Sequence, residues 1–494
     1  MAVVLSIDAG TSGIRTLAID EHGRVVRSAK REFPQHFPRP GWVEHDPEDI
    51  WDATLATLTE VASATRDAGE AIACIGITNQ RETVVVWSRS TGRPLHRAIV
   101  WQDRRTAADC DARREAGREP MIRARTGLVL DPYFSASKLA WLLREGGVEA
   151  SPDLAFGTVD SWLLHRLTGG RVHATDPSNA SRTMLFDIGE LAWSAELAEE
   201  FGVPMSCLPE VLPSSGRFGV TDPDTTAGFA LPVSGIAGDQ QAALFGQACF
   251  EPGMAKNTYG TGSFVLVNVG PTRPDPAEGL LTTVAWQVGS EPTVYAMEGA
   301  IFVTGAAIQW LRDGLGIIAD AAETGPLAES VPDSGGVMFV PAFTGLGSPY
   351  WDPYARGTIL GLTRGTGRAH LARAVVESMA YQTRDVVDAV TAATGTRLAE
   401  LRIDGGASAM DLLGRLQSDL LGVPVRRPAV QETTALGAAY LAGLAEGVWS
   451  SGADAAGAWI EEASFTPTAP EALVDAGLAT WRRAVERSRA WARD

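Results

Sequence analysis

Asp239 is the residue whose type and setting first point to catalysis. It lies in the segment from Gly235 to Gly246, where an apolar strand ends, glycines turn the chain and a helix begins. A carboxylate at the mouth of a cleft can act as a general base and accept a proton from a substrate hydroxyl. An aspartate here could instead serve only as the N-cap of the following helix, and the segment alone leaves both roles open.

A glycine-rich turn near the N-terminus could bind phosphate. It spans residues 10–13, Gly-Thr-Ser-Gly, and is followed by Arg15. Glycines let backbone N–H groups converge on an anion, while the hydroxyls add donors and the arginine adds positive charge. The sequence contains no Gly-x-x-x-x-Gly-Lys-Ser/Thr loop, and no Gly-x-Gly-x-x-Gly follows the first strand. The alternative is an ordinary tight turn with Asp8 as its acceptor.

Polar and aromatic side chains stand at the ends of two apolar runs. Arg81 and Glu82 follow the first run, and Trp101 follows the second. Open α/β sheets bind ligands at such strand ends. The arginine and glutamate offer donors and an acceptor for neighbouring hydroxyls, and Trp101 with Phe264 could cover the C–H face of a polyol. Adjacent opposite charges are equally typical of solvated surface, so composition does not decide between a site and a surface.

These groups need a scaffold that brings strand ends together. Residues 3–7 and 16–19 are predicted strands on either side of the first glycine turn, and residues 254–269 repeat the order strand, Gly-Thr-Gly turn, strand. Strands alternate with helical segments, which indicates an α/β architecture. Unless the repeat is a chance match, the chain is a duplicated α/β fold with a cleft between its halves and a boundary near residues 247–253.

Hydrophobic spacing places further elements along the chain. Residues 450–470 are loose in composition, whereas the apolar residues from Val474 to Val485 predict an amphipathic basic helix docked on the protein rather than on a membrane. The other expected helices span residues 50–64, 137–145, 302–312, 370–392 and 434–447, and the other expected strands span 73–78, 83–87, 336–341 and 401–404.

The whole chain is long and acidic. Its 494 residues carry 42 Lys and Arg against 60 Asp and Glu, a net charge of −18, and 45% are hydrophobic. This balance argues against disorder, and it disfavours non-specific binding to nucleic acid or anionic lipid. Four dispersed cysteines, no signal peptide and no long apolar run indicate a cytoplasmic protein without membrane insertion. Nearly all the positive charge is arginine, and the only lysines are Lys30, Lys138 and Lys256.

Taken together, the segments resemble the glycerol kinases, which belong to the FGGY group of carbohydrate kinases. The likeness runs in unbroken order from about residue 3 to residue 449, and two signatures of the wider group occur at residues 133–145 and 357–377. The matching segments lie at residues 6–12, 77–83, 131–134, 178–183, 238–241, 257–262, 308–313 and 341–347.

This resemblance implies both a fold and a reaction. The fold is α/β, with two actin-like (ribonuclease H-like) ATPase domains and an inter-domain cleft. Residues 1–250 would bind glycerol and carry the first phosphate loop, residues 251–449 would bind the nucleotide, and residues 450–494 would form a tail with an amphipathic helix. The reaction is in-line transfer of the γ-phosphoryl group of ATP to glycerol, with Mg²⁺, giving sn-glycerol 3-phosphate. A homodimer or homotetramer is also implied.

The resemblance assigns roles to individual residues as well. Asp239 matches the catalytic base, and Asp8 stands where the family places a carboxylate near magnesium, directly or through water. The glycerol-binding set consists of Arg81, Glu82, Trp101, Tyr133, Asp239, Gln240 and Phe264. The phosphate-binding and nucleotide-binding set consists of Thr11, Ser12, Gly13, Arg15, Thr261, Gly305, Gln309, Gly406 and Met410.

Some positions depart from the family pattern. Gly13 offers only a backbone N–H where a hydroxyl residue is common, and Met410 replaces the familiar asparagine near the adenine, which exchanges a hydrogen bond for apolar packing. Residues 221–230 lack both the loop that binds fructose 1,6-bisphosphate in some bacterial members and the histidine that is phosphorylated in others. Neither regulation is expected here.

Two other interpretations stay open. A kinase for another polyol or for a ketose, such as erythritol or xylulose, would share the wider signatures. A non-catalytic actin-like ATP-binding protein would share the fold. Trp101 and Phe264 beside Arg81 and Glu82 favour glycerol, and these polar groups with Asp239 would have no purpose in a non-catalytic protein.

Overall fold

Two large β-sheets organise the chain, one in each half. The computed structural model describes residues 2–493. Across the first sheet the strands are ordered Ser215–Val220, Pro232–Gly238, Ala71–Asn79, Ala2–Ala9, Gly13–Asp20 and Val25–Glu32. Across the second sheet they are ordered Leu281–Trp286, Val294–Ile301, Ser263–Gly270, Met254–Tyr259, Glu400–Asp404, Val425–Pro428 and Glu461–Phe465.

The first sheet brings several loops to one edge. Its strands Ala2–Ala9, Ala71–Asn79 and Pro232–Gly238 run parallel, and their register aligns the last residues of all three. The chain therefore leaves them at the same edge, where ligands of such sheets bind. Gly10 begins the loop after the first of these strands, and Asp239 begins the helix after the third.

The second sheet contains the same strand-turn-strand arrangement as the start of the chain. Met254–Tyr259 pairs antiparallel with Ser263–Gly270 across a glycine turn, and it pairs parallel with Glu400–Asp404 on its other side. Ala2–Ala9 has the same two kinds of neighbour in the first sheet. The duplicated strand-turn-strand unit that the two glycine turns predict is thus present, and the α/β class is confirmed.

Helices cover both sheets. The predicted helices and strands are present with shifts of a few residues at their ends, because hydrophobic spacing locates a buried face better than a terminus. The α-helices are Pro47–Asp67, Ala107–Glu115, Glu119–Thr126, Ser135–Arg144, Val159–Leu167, Pro177–Ala180, Ala195–Phe201, Asp239–Gly246, Gly305–Gln309, Thr324–Glu329, Arg368–Thr394, Asp411–Leu421, Thr433–Ala445, Gly452–Gly457 and Glu471–Ser488. Short strand pairs are Glu44–His45 with Ala98–Ile99, Val85–Ser88 with Leu154–Gly157, Ala174–Thr175 with Glu210–Val211, Phe186–Asp187 with Ala192–Trp193, and Met338–Val340 with Thr358–Leu360.

The C-terminal residues are part of the second domain's packing. Glu461–Phe465, inside a region of loose composition, pairs antiparallel with Val425–Pro428 and adds an edge strand. Helix Glu471–Ser488 buries Trp481, whose ring stacks on Tyr381 at a centroid distance of 5.3 Å. This is the docked amphipathic helix that the apolar spacing predicts.

Two helices bring the halves into close contact. Asp239–Gly246 of the first half packs against Thr433–Ala445 of the second, and a Cβ on Gly437 would lie 1.8 Å from the carbonyl oxygen of Ala242. The second helix also crosses the first sheet, where a Cβ on Gly76 would lie 2.2 Å from the Ala438 carbonyl oxygen. Only glycine permits such close approach of two backbones.

No helix within residues 2–493 is long and apolar enough to cross a membrane. The four cysteines are free thiols, and all four are buried.

Candidate active site

Asp239 is not the N-cap residue that its sequence segment allowed as one of two roles. It is the first residue of helix Asp239–Gly246, with Gly238 at the cap position. Its Oδ1 accepts a hydrogen bond from the Gln240 backbone N–H at 2.7 Å and lies 3.2 Å from Arg81 Nε. Among residues 2–493 no hydrogen bond reaches Oδ2, and the side chain is 31% exposed. One carboxylate oxygen therefore supports the start of the helix while the other is open to a substrate hydroxyl.

Arg81 and Glu82 lie just after strand Ala71–Asn79, separated from it by Gln80, and are almost completely buried. Arg81 Nη2 donates to Tyr133 Oη at 3.4 Å. Burial opposes the charge of Arg81, but the carboxylates of Glu298 and Glu82 outweigh this effect and hold its pKa well above the ordinary value. Glu82 has a φ of 63°, a strained conformation for a side-chain-bearing residue, and such strain clusters at functional sites.

Arg182 and Glu298 complete a buried ion-pair network with these two residues. Glu298 Oε2 lies 2.6 Å from Arg81 Nη1, and Glu298 Oε1 accepts a hydrogen bond from Arg182 Nη2 at 3.0 Å. Arg182 Nε donates to Glu82 Oε1 at 2.7 Å. Burial raises the pKa of the Glu298 carboxyl, but the two guanidinium groups more than reverse this and lower it to about 2.

Sequence reasoning assigned no role to either of these partners. Arg182 lies within the matching segment at residues 178–183, and Glu298 is the one charged residue in the otherwise apolar strand Val294–Ile301. A lone charge in a buried strand indicates a partner across the core, because an unpaired buried charge is very costly. That signal could have found Glu298 but not its partners.

Lys256 is another buried charge that reaches the site from the second sheet. Its Nζ donates to Thr258 Oγ1 at 3.1 Å and also to Gln240 Oε1, next to Asp239. Burial lowers the pKa of Lys256 to about 8, against the opposing effect of the Asp404 carboxylate. Gln240, a residue predicted to bind substrate, is thereby oriented by the second domain.

Trp101 and Tyr133 form an aromatic wall beside the polar cluster. Their ring centroids lie 5.6 Å apart in an edge-to-face arrangement. Trp101 Nε1 donates to Thr11 Oγ1 at 3.0 Å, which connects the wall to the first glycine loop. Phe264, predicted for the same wall, is half-buried on strand Ser263–Gly270, and no ring contact within the described part of the chain joins it to the two other aromatic side chains.

The first glycine loop is closed by a hydrogen bond from the Gly10 N–H to the Gly13 carbonyl at 3.1 Å. Ser12 is exposed at its tip and Thr11 is half-buried. A Cβ on Gly13 would lie 2.6 Å from the Arg31 carbonyl oxygen, so a hydroxyl-bearing residue would not fit without a shift of the backbone. The departure at Gly13 is therefore explained by the close approach of the neighbouring strand.

An open pocket lies beside this loop and is lined by both halves of the chain. Asp8 pairs in register with Arg15, whose Nη1 lies 3.0 Å from Glu432 Oε1. Thr434 donates to Asp8 Oδ2 at 3.3 Å. Burial and the nearby Asp239 carboxylate raise the pKa of Asp8 to about 6, although Arg15 opposes them.

This donor set suits a hard cation. Asp8 and Asp239 supply carboxylate oxygens whose mutual repulsion a bound cation would relieve. Mg²⁺ is typically held by one or two carboxylates together with water and phosphate oxygens. Within residues 2–493 there is no group of three or more His, Cys, Asp or Glu side chains that could hold a metal.

The residues predicted to bind nucleotide come together in the second half. Thr261 lies in the turn after Met254–Tyr259, and its carbonyl accepts hydrogen bonds from Thr304 and Ala306 at 3.0 Å, which ties the turn to the start of helix Gly305–Gln309. A Cβ on Gly405 would lie 2.5 Å from the Tyr259 carbonyl oxygen, so the segment containing Gly406 and Met410 runs beside the same turn. Gln309 and Gly406 are exposed, and Met410 is half-buried.

Comparisons with known proteins agree with this arrangement. Residues 3–246 match the N-terminal domain of the FGGY family of carbohydrate kinases, and residues 255–446 match the C-terminal domain of the same family. Together the two matches cover most of the chain.

Full-length relatives point the same way. The chain is 55% identical over 493 residues to a glycerol kinase of Symbiobacterium thermophilum, covering 99% of both chains. It superposes on the crystal structure of Plasmodium falciparum glycerol kinase with ADP with a TM-score of 0.95, at 35% identity, covering 99% of this chain and 98% of that one. A xylulose kinase of Rhodospirillum rubrum shares the fold, with a TM-score of 0.87 and 24% identity, covering 97% of this chain and 98% of that one. The predicted two-domain α/β kinase fold is confirmed.

Proposed function

The chain belongs to the FGGY family of carbohydrate kinases, and we propose that it transfers the γ-phosphoryl group of ATP to glycerol. The observation that supports this most directly is the open Oδ2 of Asp239, which stands beside Arg81 at the sheet edge where the first glycine loop also begins. Relatives about 55% identical over the full chain carry the name glycerol kinase.

The polar cluster would orient the triol. Arg81, Glu82, Tyr133 and Gln240 present donors and acceptors to neighbouring hydroxyls, while Trp101 and Phe264 cover the apolar C–H face. Asp239 Oδ2 would accept the proton of the hydroxyl that attacks the γ-phosphorus, and ADP would leave from the opposite side. The two glycine loops would align the phosphates, and the aromatic wall would keep out water, which otherwise competes for the phosphoryl group.

Mg²⁺ belongs to the proposal through the residues that would hold it. Asp8, with Asp239 nearby, would bind the ion directly or through water, and the bound ion would supply positive charge next to the phosphates. Arg15 would add a second positive charge from the neighbouring strand. The ATP set would comprise the first loop and the second-domain residues Thr261, Gly305, Gln309, Gly406 and Met410.

An acceptor comparison tests the reaction. Purified protein is given MgATP with glycerol, erythritol, xylulose or no acceptor, and ADP release is followed in a coupled assay. We expect turnover with glycerol to exceed that with each other acceptor by at least about 100-fold in kcat/KM, because a site built for hydrogen bonds discriminates strongly. Strong turnover only with xylulose would assign a ketose kinase, and ATP hydrolysis that no acceptor changes would assign an actin-like ATP-binding protein that phosphorylates none of them.

Location and assembly also belong to the proposal. The four free buried thiols fit a reducing compartment, so we place the protein in the cytoplasm. We propose a homodimer or homotetramer, which light scattering on the purified protein would distinguish from a monomer.

A further inference from the structure

Glu298 enters the glycerol site from the opposite half of the chain. It lies on strand Val294–Ile301 of the second sheet, whereas Arg81 and Arg182 belong to the first half. Its Oε2 lies 2.6 Å from Arg81 Nη1, and its Oε1 accepts hydrogen bonds from Arg182 Nη2 at 3.0 Å and from Arg81 Nη2 at 3.5 Å. The Glu298 side chain is completely buried. One carboxylate of the second domain therefore joins two cations of the first.

Stability alone does not account for such a cluster. Transferring each ion from water into a protein interior costs several kcal/mol, and apolar residues of similar volume often stabilise a core as well or better. The cluster also leaves Arg182 Nη1 buried without a hydrogen-bond partner. A network that is costly and incompletely paired is better explained by what it positions than by the stability that it adds.

Arg81 is the residue that Glu298 positions. Its aliphatic stem passes over Gly238, where a Cβ would lie 2.7 Å from Arg81 Cγ, and its Nη1 is held by Glu298. Only Nε is left near Asp239, at 3.2 Å from Oδ1. If Glu298 lost its charge, both Nη groups could turn toward Asp239 and pair with its carboxylate through two hydrogen bonds, the geometry that arginine favours. Oδ2 would then no longer be open to a proton.

We propose that Glu298 is a positioning residue of the glycerol site: from the second domain it holds Arg81 and Arg182 in place, so that Arg81 faces glycerol and Asp239 Oδ2 stays open. This inference rests on the proposed function. It also makes glycerol binding depend on the apposition of the two domains, because an essential side chain of one domain is oriented by the other.

Steady-state kinetics of Glu298→Gln test this role. The substitution keeps the shape of the side chain and removes its charge. We expect kcat/KM for glycerol to fall by about 10- to 100-fold, since small displacements of positioning groups have effects of this size. The KM for glycerol should rise and kcat should fall, while the KM for MgATP changes by less than about threefold, because the network touches no residue of the nucleotide set.

Asp385→Asn is the matched control. Asp385 is also a buried carboxylate of the second half, but its Oδ2 accepts hydrogen bonds from Tyr350 and Trp481, away from the site. Its variant should keep wild-type kinetics for both substrates. Glu298→Asp keeps the charge and should lose less activity toward glycerol than Glu298→Gln. If circular dichroism shows that Glu298→Gln does not fold, Glu298→Asp is used alone. A rise in its KM for glycerol, without a rise in its KM for MgATP, would then support the positioning role.

The outcomes separate this inference from the proposed function. Wild-type protein without glycerol kinase activity contradicts the function itself. If the wild type is active and both Glu298 variants have kcat and KM values for glycerol and MgATP within twofold of the wild-type values, the positioning role is overturned. The positioning role would also be overturned if the Glu298 variants lost kcat/KM equally for glycerol and MgATP and Asp385→Asn showed the same loss. That result would indicate a general effect of losing a buried charge.

Discussion

At the scale of residues, the two carboxylate oxygens of Asp239 have different surroundings. Oδ1 accepts a hydrogen bond from the backbone amide of Gln240, the second residue of the helix, and Oδ2 has no hydrogen bond within residues 2–493. The two oxygens of a carboxylate are separate acceptors, so the hydrogen bond to Oδ1 would not prevent Oδ2 from accepting a proton. The position at the start of a helix also places the carboxylate near the positive end of the helix dipole.

Asp239→Asn separates these roles. The asparagine Oδ1 can still accept the Gln240 amide, so thermal stability should change little. Without a carboxylate to take the proton, kcat with glycerol should fall by about 100-fold or more, the usual scale for a lost general base. The variant is measured by the coupled ADP assay and by thermal denaturation. A kcat close to that of wild type would remove Asp239 from the mechanism and leave it only as the acceptor of the Gln240 amide.

The sequence identifies the groups predicted to face substrate better than the groups behind them. Arg81, Glu82 and Asp239 stand at strand ends, where topology alone predicts a site. Glu298 and Lys256 lie inside strands. The sequence marks both as unusual, Glu298 as a lone charge in an apolar strand and Lys256 as one of only three lysines. Their partners are distant in sequence, so only the packing of the two halves shows which groups they contact.

At the scale of elements, the repeated hairpin sets the architecture of the cleft. Each half begins with an antiparallel pair joined by a glycine turn, and the first strand of each pair continues the sheet in parallel on its other side. The glycines in these turns let the backbone bend tightly, while Thr11, Ser12 and Thr261 supply hydroxyl groups, so backbone amides and hydroxyls would both be available to phosphate oxygens. Two such turns, one from each half, can approach one ligand from both sides.

Helix Thr433–Ala445 carries the contact between the halves, and Gly437→Ala tests it. Alanine normally favours a helix by about 1 kcal/mol over glycine. Here the added methyl group would lie 1.8 Å from the Ala242 carbonyl oxygen. The cost of this overpacking should exceed the gain in helix propensity, so the protein should be destabilised by about 1–3 kcal/mol or more. Thermal denaturation should show a lower Tm, and kcat should fall as the halves are displaced.

Gly457→Ala is the control for this prediction. Gly457 ends helix Gly452–Gly457, and no atom lies within 4 Å of the position of an added Cβ. The same chemical change should therefore be neutral or slightly stabilising. Equal melting temperatures for the two variants would show that the contact between the helices tolerates a side chain.

Most helices and strands can be predicted from hydrophobic spacing, and the exceptions have physical causes. The helix expected over residues 302–312 begins only at Gly305, and its last turn becomes a π-helix over Trp310–Gly314. Apolar spacing cannot distinguish these hydrogen-bond patterns. Strand Glu461–Phe465 lies at a sheet edge, where one buried residue is enough to dock it, so its sequence shows almost no periodicity.

At the scale of the whole molecule, the protein binds an anion against its own net charge of −18. The long-range field repels a nucleotide, so attraction would depend on local groups such as Arg15 and the first glycine turn, which line one open pocket. Mg²⁺ reduces the charge of the nucleotide before it meets that field. Glycerol, which carries no charge, would not be affected by that field.

Ionic strength should therefore act on one substrate and not on the other. Lowering salt from about 150 mM to 10 mM lengthens electrostatic screening from about 8 Å to 30 Å, which exposes MgATP to more of the negative field. With free Mg²⁺ held constant, the KM for MgATP should rise by up to about threefold, while the KM for glycerol stays the same. A lower KM for MgATP at low salt would mean that the local positive charges outweigh the net charge.

The packing of Thr433–Ala445 over the first sheet has a consequence for how the protein is made. The glycines at 76, 235 and 246 that receive this helix are synthesised in the first half of the chain, and the helix itself comes close to the end. Until the ribosome has translated this helix, the apolar surface of the first domain that the helix covers stays exposed. The first domain thus cannot reach its final packing before nearly the whole polypeptide has emerged, and the nascent chain exposes a surface of the kind that chaperones protect.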